Sequence, residues 1–261
     1  MHRWIPDGRV PRLALLVGVL AAATGLGGWV WSTFRTTTTP VSIADLIENF
    51  DDIAGDILAV EGLADPGVYV YATSGSEKID ALTAPERRYP LESALVVTAS
   101  GCGVRVEWRP VEERVEWWEL CAVDGGVALV RYGGVHEFFG TRDERTLQCP
   151  VGTWLLPPRT AVPVTVSRCD GGGMAHVRTL EVIGPASVDV AGTPTTGIEV
   201  RIATLTSGTA TGEGTTRLVL SPRGLPLLWE EDSTGRSDTP IGIVTQREKF
   251  RLALASLEPR R

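Results

Sequence analysis

The sequence predicts a mainly β domain of the α+β class. It reads as a large antiparallel curved sheet or half-open barrel with one N-terminal amphipathic helix, set behind a transmembrane helix. Three observations carry this reading. Leu13 to Phe34 runs without a charge, one stretch of helical periodicity follows it, and from Pro66-Gly67 almost to the end β-type segments alternate with Gly, Pro and Asp turns.

The apolar run, LALLVGVLAAATGLGGWVWSTF, is bracketed by Arg12 and Arg35. A helix rises about 1.5 Å per residue and about 20 residues cross the hydrocarbon core, so the run is long enough to span it. His2, Arg3, Arg9 and Arg12 precede it against a single Asp7, and the positive-inside rule leaves residues 1–12 as a cytoplasmic stub. Residues 13–34 are then the anchor, 35–41 a linker and 42–261 an extracytoplasmic domain at the cell membrane, with one span. Trp29 and Trp31 fall where an aromatic belt meets the outer interface. A cleaved signal peptide is the competing reading, because Leu13 to Leu20 makes an h-region and Ala21-Ala22-Ala23 fits a small-residue cleavage site. Cleavage would leave Gly25 to Trp31 as an apolar stub. No cysteine lies near the segment, which rules out lipoprotein attachment, and both readings export the same domain.

The chain carries a net charge of −7, and its first 35 residues hold four arginines against one aspartate, so the exported part is more acidic than the whole. Nucleic acid and anionic membrane surfaces need a basic footprint and are excluded as partners. All four cysteines, Cys102, Cys121, Cys149 and Cys169, lie in the exported part, where an even count favours disulfides over metal or catalysis. Cys102 and Cys121 flank the polar stretch Arg109 to Arg114 symmetrically, and Cys149 and Cys169 flank Arg159 beside Pro157-Pro158. Each pair therefore reads as a cross-strand staple on a hairpin, contributing about 3 kcal/mol in the chain-entropy account. No CxxC or HxxxH pairing accompanies them, so neither a metal site nor a cofactor is expected.

Placing Cys102 opposite Cys121 sets a register in which Val106 faces Trp117, Trp108 faces Val115 and Val104 faces Glu119. That register gathers Val104, Val106, Trp108, Val115, Trp117 and Glu119 on the inner face as a candidate apolar cavity. It sends Arg105, Glu107, Glu116 and Trp118 to the polar face. Glu119 is the exception on its face: a carboxylate there lines a ligand cavity or proton-transfer site, or else sits near a rim or pairs with an arginine. An outward Trp118 marks a candidate partner surface.

Upstream, Thr36 to Pro40 is a polar spacer. Ile43, Leu46, Ile47, Phe50, Ile53, Ile57 and Leu58 then recur at helical spacing with acids largely on the opposite side, Ser42 as N-cap and Gly62 as the stop. Its apolar face is expected to pack on the domain's own sheet. The strand candidates begin with Val68 to Ala72 and end with Gln246 to Leu254. The hairpin from Thr216 to Glu231, turning at Ser221-Pro222-Arg223-Gly224, is the clearest of them.

GVYVYATSGSEKIDAL (Gly67 to Leu82), CGVRVEWRPVEERVEWWELC (Cys102 to Cys121) and HEFFG (His136 to Gly140) resemble a family of uncharacterised single-pass membrane proteins from actinobacteria. The resemblance covers Gly67 to about Cys149 and brings no assigned activity. TTRLVLSPRGLPLLWEED (Thr215 to Asp232), followed by the acid-bearing strand at Arg247 to Phe250, is similar to the half-open barrels of the lipoprotein-carrier type. That likeness implies a curved antiparallel sheet holding acyl chains in its concave face, and transfers no binding residues.

Catalytic patterns are lacking. Of the three histidines, His2 is cytosolic, while His136 and His176 alternate with apolar neighbours as ordinary sheet residues do. No G-x-S-x-G elbow occurs, Gly171 to Gly173 reads as a turn, and Glu112, Glu113 and Glu116 cluster at a hairpin tip. The chain is read as a non-catalytic module that binds a lipid or other hydrophobic envelope molecule. The alternative is a cell-envelope protein-interaction module without a ligand. The first needs a continuous apolar cavity, the second a filled core and an exposed apolar patch.

Overall fold

The computed structural model describes residues 39–54, 59–80, 86–138, 141–158, 163–239 and 242–261. The run 13–34, on which the anchor reading rests, lies outside the described residues, as do Ile57 and Leu58; no helix among the described residues is long and apolar enough to cross a membrane.

Ser42 caps the first helix, its hydroxyl accepting from the Asp45 N–H at 3.2 Å. The helical periodicity folds as two short pieces, α1 (Ile43–Glu48) and α2 (Phe50–Ala54), broken at Asn49. Leu46 and Phe50 bury against Val68, Ala94 and Val96, so the apolar face does pack on the domain's own sheet.

The remainder is strand: β1 (Gly67–Asp80), β2 (Arg87–Arg88), β3 (Glu92–Ser100), β4 (Gly103–Val111), β5 (Arg114–Val123), β6 (Gly126–Phe138), β7 (Thr141–Gln148), β8 (Trp154–Leu156), β9 (Val164–Gly171), β10 (Met174–Val190), β11 (Thr193–Gly208), β12 (Ala210–Leu220), β13 (Pro226–Thr239) and β14 (Gly242–Leu254). Consecutive hairpins give an up-and-down order, as expected, but the sheet does not stay half-open. β14 pairs with β1 from Tyr71↔Leu254 to Asp80↔Thr245, closing a 12-stranded antiparallel barrel with β2 and β8 attached to β1 and β6. Closure satisfies the backbone groups that two free edges would leave open. The seam is tight at Gly75, where a Cβ would lie 2.2 Å from the Lys249 carbonyl oxygen.

Side chains alternate cleanly. Tyr69, Tyr71, Leu95, Val97, Val106, Trp108, Val200, Leu218, Trp229 and Leu252 point inward into the main core. The lower end of the barrel, which carries the β3–β4, β5–β6, β10–β11 and β12–β13 turns, is closed by the segment leading into β1. Leu63 and Ala64 are buried in the main core there, and Asp65 holds Arg223 of the β12–β13 turn at 2.6 and 2.7 Å. The upper end carries the remaining hairpin turns. The described chain begins at this end: the Glu112 N–H donates to the Thr39 carbonyl at 2.9 Å, and Pro40 bridges Val111.

Both disulfides form as the turn spacing indicates, Cys102–Cys121 and Cys149–Cys169. Their positions differ in consequence. Cys102 stands in the β3–β4 turn and Gly103, not Cys102, lies opposite Cys121. Cys149–Cys169 sits at the thinnest joint in the barrel, where β7 and β9 share the single registered pair Gln148↔Asp170. This covalent bond does there what ladder hydrogen bonds do elsewhere. Replacing Cys149 and Cys169 by serine is expected to cost about 3 kcal/mol in chemical denaturation and to raise amide hydrogen exchange selectively along β7 and β9. Replacing Cys102 and Cys121 should lower stability without that local signature.

Candidate functional site

The displaced register at Cys102 has a large effect, because a shift of one residue turns every side chain of a strand to the other face. Val104 pairs with Leu120, Val106 with Trp118 and Trp108 with Glu116. Val104, Val106 and Trp108 keep the inner face foreseen for them, though only Val106 lines open space; Val104 and Trp108 are sealed in the packed core. Val115, Trp117 and Glu119 instead lie on the outer face. There Trp117 is covered by the Arg105 guanidinium, 4.2 Å from the ring centroid, and Glu119 is clamped by Arg131, whose Nη2 donates at 2.6 Å. An arginine partner for Glu119 was one of the alternatives open to it. Trp118 is not on a partner surface but inside, its ring 4.6 Å from that of Trp229.

With these placements the lumen can be built upward from its floor. Trp108, Trp118, Trp229 and Phe250 pack ring against ring, with centroids 4.5 to 5.5 Å apart, as an aromatic platform on one side of the lumen. Alongside and above it runs a cavity of 730 Å³, bordered by Trp118 and Trp229 and reaching Gly224 and Pro226 of the lower end, whose apolar wall includes Val106, Leu120, Leu155, Ile202 and Leu218. The cavity exists because one arc of the barrel brings little bulk to it: Thr204, Thr206, Ala210, Gly214, Thr216, Ser233 and Gly235 line β11 to β13 where leucines would have filled the space.

Two polar groups interrupt this lumen. The first bridges the closing seam. Glu77 and Glu248 are cross-strand partners inside the barrel, and Arg114 of β5 reaches both, with Nη1 3.4 Å from Glu77 Oε1 and Nη2 donating to Glu248 Oε2 at 2.8 Å. Tyr89 donates to Glu248 at 2.5 Å while accepting from Arg114 at 2.6 Å; Arg87 lies 3.6 Å from Glu77. Arg114 Nη2 also donates to Glu116 at 2.9 Å, and His136 Nε2 is 2.9 Å from the same carboxylate oxygen. Burial pushes the Glu116 carboxyl up, but Arg114 and His136 outweigh it and hold the group at about 2. Burial, and then the neighbouring Glu248 and Glu116, raise Glu231 to about 8, so it keeps its proton at neutral pH. The buried Trp229 indole N–H closes no hydrogen bond, although it lies near enough to Glu231 to favour the ionised form.

The second group joins β6 to β10 across the lumen. The Tyr132 hydroxyl and His176 Nδ1 are 2.6 Å apart. Burial, then Arg145 and Arg178, lower His176 to about 4, while burial raises the Tyr132 phenol. Both groups are therefore neutral at neutral pH, and with the phenol donating to Nδ1 the imidazole carries its hydrogen on Nε2, free to face the lumen. Arg178, buried beside them at 8% exposure, lines the cavity with its guanidinium 5.7 Å from the Tyr132 ring centroid.

Neither group has a local motif: spacing alone puts Arg114 and Glu116 at a hairpin tip and makes His136 and His176 ordinary sheet residues. The signal the sequence does hold is charge at Glu77, Glu116, Arg178, Glu231 and Glu248 in step with the inward apolar residues Tyr71, Leu120, Leu180, Trp229 and Leu252. Among the described residues no cluster of His, Cys, Asp or Glu is placed to hold a metal ion. No family model, curated protein or solved structure matches the chain. The geometry defines a class, a closed up-and-down β-barrel with an occupiable lumen.

Arg114→Gln strands Glu77 and Glu248 without their shared cation and is expected to cost about 3–5 kcal/mol in urea denaturation. Glu231→Gln should behave differently. The folded state retains the Glu231 proton up to about pH 8, whereas the unfolded chain loses it near the model-compound value of 4.5. The fold's stability therefore declines as pH rises through that window. The amide substitution should be neutral at pH 4 and stabilising by about 2 kcal/mol at pH 8 and above, allowing for screening by lumen water. Denaturation midpoints at the two pH values measure the difference.

Proposed function

We propose that this protein is a membrane-anchored, extracytoplasmic binding module that takes a lipid or other hydrophobic envelope molecule into its barrel and performs no reaction on it. The supporting observation is the 730 Å³ cavity bordered by the Trp118–Trp229 pair, within the range of about 300–1,000 Å³ typical of small-molecule sites. A filled core would have left only methyl-sized voids.

The course of the chain supports the same reading. Thr39 and Pro40 are tied to the β4–β5 turn at the upper end, toward which the polar-lined part of the cavity runs, and the few residues between Arg35 and Thr39 reach at most about 14 Å. An anchor ending at Phe34 therefore holds the mouth toward the bilayer, from which a water-insoluble ligand would come. The interaction-module alternative calls for a contiguous apolar patch; Val164, Val166 and Leu205 share the outer face of β9 to β11, while the exposed Leu91 and Ile243 stand apart from them.

The test is organic extraction and mass spectrometry of the protein purified without detergent exchange from an exporting host. A stoichiometric amphiphile, absent when Leu218 and Thr216 are replaced by Trp to fill the lumen, is the expected result. A well-folded protein that is empty under these conditions and takes up no apolar probe would favour the interaction module.

A further inference from the structure

A lumen built only to solvate an alkyl chain would have no use for a buried cation. Yet Arg178 is more than nine-tenths buried, lines the cavity, and has no carboxylate within ion-pair distance among the described residues. Its situation contrasts with that of Arg114, equally buried but surrounded by Glu77, Glu116 and Glu248. Burying a guanidinium without a counter-charge is expensive, and the face of Tyr132, 5.7 Å away, and Glu231, which keeps its proton, compensate little. Desolvation accordingly lowers the Arg178 pKa. The structure thus contains half of an ion pair.

We infer that the ligand supplies the other half: the barrel binds a single-chain amphiphile with one anionic carboxylate, held by Arg178 and the His176 Nε2–H, its alkyl chain lying on the Trp118–Trp229 platform. This inference rests on the lumen-binding reading and specifies the class of molecule it takes.

The placement of Arg178 suits such a molecule. Arg178 pairs with Thr204 on β11, and one inward step down the same strands stand Leu180 and Ile202. One step up stand His176 and Thr206. The cation therefore sits where the apolar lower wall gives way to the hydroxyl-lined collar, so a tail entering first through the open end leaves its headgroup at that level. His176 and Arg178, two residues apart on one face of β10, present donors to a common point. Arg145, ion-paired with Asp143 at 2.9 Å near the rim, adds a positive field on the approach.

The charge around the site favours a monoanion. Glu116 and Glu248 also line this lumen. A doubly charged phosphate would meet their field with one unpaired arginine to offset it, whereas a planar carboxylate matches the guanidinium fork with two parallel hydrogen bonds.

The test uses membranes containing the full chain and two clickable diazirine probes of equal length, a fatty acid and the corresponding fatty alcohol, with labelled peptides read by mass spectrometry. Lumen peptides of β5, β12 and β13 are expected to be labelled about tenfold more by the acid. Arg178→Gln should bring acid labelling down to the alcohol level while leaving alcohol labelling unchanged, and Arg178→Lys should restore part of the preference. An unlabelled alkyl phosphate should compete less well than the unlabelled fatty acid.

Equal labelling by acid and alcohol in the unaltered chain, or acid labelling insensitive to Arg178→Gln, would overturn the headgroup assignment and leave the lumen reading standing. Stronger competition by the alkyl phosphate would overturn the carboxylate assignment. Absence of lumen labelling by either probe would overturn the lumen reading and this inference with it. Should Arg178→Gln lose both labels, the acid-to-alcohol ratio of the unaltered chain and of Arg178→Lys decides.

Discussion

Arg114 is the residue on which this barrel turns. Closing β14 onto β1 places Glu77 directly opposite Glu248 on the inner face of the seam, and two carboxylates so placed repel in a low-dielectric interior. Arg114 crosses from β5 to reach both, Tyr89 bridges it to Glu248, and Arg87 supports Glu77. With His136 of β6 the network spans five strands and ties the seam to β5, three strands away, so closure and the internal charge arrangement are a single condition. Apolar residues in the same places would close a barrel as well, which makes the retention of this charge inside a ligand-sized space a clue to what the space admits.

The lumen divides along its length for a simple steric reason. Toward the lower end the inward positions are aromatic or branched, and they fill the space. Toward the upper end β11 to β13 contribute threonine, serine and glycine, and the space stays open. No described side chain fills that volume, and Arg114 and Arg178 border it. One of them is neutralised by the protein and the other is not. The asymmetry between Arg114 and Arg178 carries more functional information than any local motif in the chain.

Much was legible in the sequence because it depends on local order. Alternation along Val68 to Ala72 and Gln246 to Leu254, the Ser221 to Gly224 turn, the Ser42 cap and both disulfide pairings follow from spacing and turn chemistry. The face of β5 did not follow. Cys102 stands in a turn, outside the ladder, and a disulfide tolerates a diagonal pairing as readily as a direct one, so the cysteines fixed neighbours without fixing register. Trp118 and Trp117 exchanged faces as a result. The arginines Arg105 and Arg131, which cover Trp117 outside, belong to adjacent strands and gave no local sign of doing so.

By itself, then, the sequence determined the β class, the staples, the acidic exterior and the apolar run on which the anchor reading rests, since these are matters of composition and near-neighbour pattern. Only the tertiary structure decided that the sheet closes, that Glu77 meets Glu248 and Arg114, and that Arg178 stands beside an open cavity without a partner. Closure joins residues more than 160 positions apart, and whether an inward side chain fills a space or lines one depends on what the opposite wall contributes.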